Sequence, residues 1–99
     1  MSGLVVITRD LMDRSRIQAE VPDAVMVRSV DAPELIDAEV ILLDLASRID
    51  PAMVAAIGPR VVAYGAHVDT EALDGAITAG CIDALPRSKV FRRVAELLD

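Results

Sequence analysis

The run Val40-Ile41-Leu42-Leu43 carries no polar residue and ends on a single carboxylate, Asp44, before Leu45. An extended segment built from these residues has no face suited to water. A short continuous apolar run of this kind fits a strand buried on both sides, as in a parallel sheet covered by helices. Asp44 then falls at the carboxyl end of that strand. Open α/β sheets place their ligand sites there.

The remaining apolar runs arrange themselves around this one. Leu4 to Ile7 reads as a strand. Asp10 is placed to cap a helix over Leu11 to Glu20, with Leu11, Met12, Ile17 and Ala19 as its apolar residues and Pro22 as its stop. Ala24 to Val30 predicts an edge strand, partly exposed at Arg28 and Ser29. The connection Asp31 to Ala38 allows two helical turns at most. The central strand is predicted over Val40 to Leu45. A short helix follows over Ala52 to Ile57, with Pro51 at its first position, Asp50 as cap and Gly58-Pro59 as stop. Val61 to Tyr64 is a strand ending at Gly65. Asp69 or Thr70 opens a further helix to Ala79, with Leu73, Ala76 and Ile77 facing inward. Cys81 to Leu85 is a weak strand, edge-like at Asp83. Pro86-Arg87-Ser88 is a turn, Ser88 capping a last helix with Val90, Phe91, Val94, Leu97 and Leu98 on one stripe. Strands alternating with helices imply parallel strands joined by right-handed crossovers.

Composition narrows the function. The 99 residues suffice for one domain, residues 1–99, and 54% hydrophobic with 26% charged residues is a globular balance. Tyr64 and Phe91 are the only aromatics, so the core is aliphatic. The stacking platforms of single-stranded nucleic-acid binders are missing. A net charge of −6 disfavours direct contact with nucleic acid or an anionic membrane. The single Cys81 forms no internal disulfide, and no Cys/His spacing suggests zinc. Without a basic leader or a membrane-length apolar run, a cytoplasmic protein is expected.

Several stretches carry a resemblance to a known family. Val5-Val6-Ile7, the run ending in Asp44, and Ala76-Ile77-Thr78-Ala79-Gly80-Cys81-Ile82-Asp83-Ala84-Leu85 resemble the receiver domain of bacterial response regulators. Asp10 to Ile17, Tyr64 to Asp69 and Leu85 to Ser88 together are similar to a small group of shortened receiver-like bacterial proteins. The resemblance implies a flavodoxin-like α/β three-layer sandwich with a five-stranded parallel sheet of order 2-1-3-4-5 and short second and third helices. It makes Asp44 the phosphoacceptor equivalent.

The departures from that family define a degenerate, pseudo-receiver pattern. Receivers hold Mg²⁺ with an acidic pair after the first strand, where this chain has Thr8, Arg9 and Asp10. Mg²⁺ requires several hard oxygen ligands. The hydroxyl residue after the fourth strand is matched by Gly65, and the conserved lysine by Arg87, whose charge sits on a rigid fork. The expectation is a signalling and protein-interaction module, not an enzyme, without cofactor or metal and with no catalytic residue. Asp44 is expected either to pair with Arg87 or Arg9 or to act as a cap. Partner or homodimer contact is expected through the last helix, the helix before it and the fifth strand. One alternative is a small anionic ligand, phosphate or nucleotide, bound at the strand ends by Arg9, Arg14, His67 and Arg87. Another is a functional phosphoacceptor at Asp44. His67, with Asp69 two residues on, is either an oriented acid/base group or an ordinary loop histidine.

Overall fold

The structure, a computed structural model, describes residues 3–98. Its sheet contains β1 (Leu4–Ile7), β2 (Val25–Val27), β3 (Val40–Asp44), β4 (Arg60–Gly65) and β5 (Asp83–Pro86). All pairings are parallel, in the order β2-β1-β3-β4-β5. Every residue of β3 is buried, as its lack of a polar face requires. The register sets Asp44 beside Tyr64, Tyr64 beside Leu85, and Gly65 beside Pro86.

Strand alternation divides the core into two halves. Leu4, Val6, Leu42, Val62, Tyr64 and Leu85 face α1 (Leu11–Glu20) and α4 (Arg87–Arg93), which supply Ile17, Val90 and Phe91. Val5, Ile7, Ile41, Leu43, Val61 and Ala63 face the other layer. That layer holds Leu35 of a 3₁₀ turn (Pro33–Leu35), Val54 of α2 (Pro51–Ala55) and Ala76 of α3 (Thr70–Thr78). The three-layer sandwich and the strand order agree with expectation. The expected short second helix is this one 3₁₀ turn.

The helix starts follow side-chain capping. Asp10 accepts from the N–H groups of Met12 and Asp13, Asp50 from that of Ala52, and Asp69 from that of Ala72. Several expectations need correction. β2 spans three residues where Ala24 to Val30 was expected, because an edge strand gains ladder bonds on one side alone. β3 ends at Asp44, whose side chain caps a 3₁₀ turn over Leu45–Ser47. β5 begins at Asp83, two residues later than expected, and Cys81 is a core residue outside the strand. Pro86 leads directly into α4 without a side-chain cap, so Ser88 lies inside the helix and caps nothing. Leu11 and Met12 are exposed, and the inward residues of α1 are Asp13 and Ile17. Ile77 is also exposed, leaving Ala76 as the buried residue of α3.

Leu42 is fully buried at the centre of the sheet. Leu42→Ala is expected to lower unfolding free energy by about 2–5 kcal/mol, because a rigid sheet collapses poorly around the cavity. Urea unfolding measures this, and a loss below about 1 kcal/mol would contradict the packing described.

Candidate functional site

Asp44 sits at the carboxyl end of β3 and is almost wholly buried. Its Oδ2 accepts from the Thr8 hydroxyl at 2.8 Å, and its Oδ1 accepts from the Ala46 backbone N–H at 2.9 Å. The Ser47 hydroxyl donates to the Asp44 carbonyl at 2.6 Å. Burial of a carboxylate requires such donors. Neither Arg87 nor Arg9 supplies them. The expected ion pair to Asp44 is thus replaced by neutral hydrogen bonds and a cap. Thr8 itself is buried, and its hydroxyl also accepts from the Asp10 N–H at 3.1 Å.

Arg87 turns instead to Asp13, a residue the sequence reading passed over. Asp13 is fully buried on the inner face of α1. Both terminal nitrogens of Arg87 donate to its two oxygens, a bidentate pair. The Tyr64 hydroxyl donates to the same Asp13 Oδ2 at 3.0 Å. Phe91 closes this cluster, edge-on to Tyr64 at 5.9 Å between ring centres, with the Arg87 guanidinium 5.5 Å from its ring. Burial pushes the Tyr64 phenol well above its ordinary value of 10.0, the neighbouring Thr8 hydroxyl opposing the shift and the Asp44 and Asp13 carboxylates adding to it. The hydrogen bonds to Asp13 likewise raise Arg87. The signal that could have found Asp13 is its spacing. It lies four residues before Ile17 on the inward stripe of α1, where a carboxylate needs a partner from a neighbouring element.

Above Asp44 lies a cleft of about 350 Å³ lined by Arg9, Asp10, Asp44, Ala46, Ser47 and Arg48. Arg48 has a left-handed backbone, φ 61°, at the end of the 3₁₀ turn. Of the expected site residues, the cleft gathers Arg9, Asp10 and Asp44, and Thr8 bonds Asp44 from beneath. Gly65 is buried at the end of β4, facing Leu45. His67 is exposed in the following loop, and Asp69 caps α3 rather than orienting it. Arg87 is drawn away to Asp13. Arg48 was not anticipated.

The residues lining the cleft do not fit Mg²⁺. Both Asp44 oxygens already accept internal bonds, Asp10 Oδ1 caps α1, and two guanidinium groups line the same cleft. Among the described residues no group of three or more His, Cys, Asp or Glu side chains is arranged to hold a metal ion.

Comparison with solved structures places this geometry in context. A response regulator from Thermotoga maritima is similar over 96% of this chain and 92% of its own, with a TM-score of 0.69 and 11% identity. A putative pilus assembly-related protein from Burkholderia pseudomallei is similar over 99% of this chain and 89% of its own, with a TM-score of 0.68 and 15% identity. The chain has the receiver fold. No protein-family model matches the sequence, and no curated protein matches it. Among the described residues no helix is long and apolar enough to cross a membrane. Within this fold, neutral donors bond the Asp44 carboxylate at the end of β3.

Removing Asp13 leaves Arg87 and the Tyr64 hydroxyl without their acceptor. Asp13→Ala is expected to cost about 2–3 kcal/mol, at or below the lower end for a broken buried pair because Arg87, 38% exposed, can turn to water. Tyr64→Phe should cost about 1 kcal/mol. Because the folded-state phenol titrates above the unfolded one, the wild-type chain loses stability as pH rises past 10.0, where the unfolded chain ionises first. Urea unfolding between about pH 8 and 11 should show this decline weakened in Tyr64→Phe.

Proposed function

We propose that the protein is a signalling module of receiver type that acts by protein contact and not by Mg²⁺-dependent phosphoryl transfer to Asp44. The observation that carries this reading is that both Asp44 oxygens are bonded from within the chain, by Thr8 and Ala46. The diversion of Arg87 to Asp13 supports it, since the cation following β5 is held away from Asp44. A phosphoryl group on Asp44 would have to displace the Thr8 bond and find charge compensation without a divalent ion. On this reading the protein is not an enzyme. Its contact surface comprises α4, α3 and β5, with Ile77 on α3 and Ile82 just before β5 as exposed apolar residues. A cytoplasmic location fits the buried free thiol of Cys81, which burial pushes above its ordinary range.

Incubation with a small-molecule phosphodonor and Mg²⁺, followed by intact mass measurement, is expected to leave the chain unmodified. A phosphoryl group at Asp44, lost in Asp44→Asn, would overturn the reading and favour the phosphoacceptor alternative.

A second reading is favoured by the cleft itself. Arg9 and Arg48 line it, and their guanidinium forks suit a phosphate or nucleotide. Thermal-shift measurements with inorganic phosphate and nucleotides test this. A stabilisation abolished in Arg9→Ala/Arg48→Ala would support it, and one that persists in the double variant would remove it.

A further inference from the structure

Charge is distributed unevenly over the two outer layers. The seven residues of α4 carry Arg87, Lys89, Arg92 and Arg93 and no acid, although the chain as a whole is at −6. Arg87 is taken up by Asp13, and Arg93 lies 3.6 Å from Glu96 in an exposed pair. Lys89, Arg92 and, from the neighbouring α1, Arg16 are exposed cations on this layer. Arg16 stacks over Phe91 at 4.4 Å, and a groove of about 440 Å³ between α1 and α4 is lined by Arg16, Ala19, Glu20, Phe91 and Arg92.

The opposite layer shows the reverse. The crossover from β2 to β3, residues 28–39, has one cation, Arg28 at its start, and from there residues 31–39 carry Asp31, Glu34, Asp37 and Glu39 and no cation. All of these are exposed, and Ile36 between them is 70% exposed. Leu35 of this segment packs on the sheet face opposite to the one that α4 covers. The two charged surfaces therefore cannot neutralise each other within one molecule, and each complements the other on a second copy.

We propose that the acidic crossover of one copy docks on the basic α1–α4 groove of another. The carboxylates of Asp31, Glu34 and Asp37 would meet Arg16, Lys89 and Arg92, with Ile36 entering the groove beside Phe91. The occupant is a second copy because this chain itself supplies the matching charge beside an unpartnered apolar residue. The contact joins two different surfaces, so it is heterologous and propagates head to tail. The proposal rests on reading the protein as a contact module, but not on the state of Asp44. Phosphorylation would defeat that reading without altering the association, and a monomeric chain would defeat this one alone.

Sedimentation equilibrium of the full chain from micromolar to near-millimolar concentration tests it. The average mass is expected to rise with concentration at low salt and to fall back at high salt. Arg16→Gln/Lys89→Gln/Arg92→Gln and Asp31→Asn/Glu34→Gln/Asp37→Asn alter exposed side chains and should each weaken association by about tenfold or more. The decisive sample is their mixture. Each variant retains the surface the other lacks, so the mixture should form a one-to-one dimer that grows no further. A wild-type chain that stays monomeric overturns the proposal. So does association indifferent to salt, or a mixture no better associated than its components. A monomer that instead binds a polyglutamate peptide or duplex DNA through α4 assigns the groove to a foreign polyanion and overturns it as well.

Discussion

A carboxylate with no exposed surface needs partners inside the fold, and Asp13 finds a cation, Arg87, 74 residues further along the chain. That pair joins the first helix to the start of the last across the end of β4. Tyr64 completes it from below with its hydroxyl, and Phe91 packs against both Tyr64 and the guanidinium. Three elements distant in sequence thus meet at one charged atom group. Buried pairs of this kind add little net stability over an apolar packing, yet they strongly penalise any arrangement that separates them. Asp13 therefore fixes where α4 leaves the sheet.

Fixing Arg87 there decides the character of the strand-end site. The cation that follows β5 is held on the α1 side, and Asp44 is left to neutral donors. Thr8 lies between the two centres: its hydroxyl donates to Asp44 and sits beside the Tyr64 phenol that bonds Asp13. The polar groups at this end of the sheet are satisfied from within, and no buried side-chain nitrogen or oxygen among the described residues lacks a partner. What remains open to solvent is the rim, where Arg9 and Arg48 flank a cleft whose floor carboxylate is already bonded.

Much of the architecture was legible because it depends on local chemistry. The β1 and α1 boundaries and the caps at Asp10 and Asp50 follow from side chains acting on backbone within a few residues, the cap of α3 was narrowed to Asp69 or Thr70, and the burial of β3 follows from its apolar run. The weaker edges were less legible. β2 and β5 pair on one side alone, so their ends depend on how far the neighbouring strand runs, and β5 starts only where Asp83 meets Val62. Apolar residues also misled at Leu11, Met12 and Ile77, which face water because the helix rotation is set by other contacts, among them the buried Asp13.

The site divides along the same line. The sequence by itself determined that Asp44 ends a buried strand, that Thr8, Arg9 and Asp10 follow the first strand, and that Arg87 follows the last, because residue type and strand position are one-dimensional properties. Only the tertiary structure decided which carboxylate Arg87 would meet, that Arg48 would reach the cleft, and that a basic helix and an acidic crossover would cover opposite faces of the sheet. Charge partners are chosen by distance in space and by the cost of leaving a buried ion alone. Neither quantity exists until the helices have been laid on the sheet.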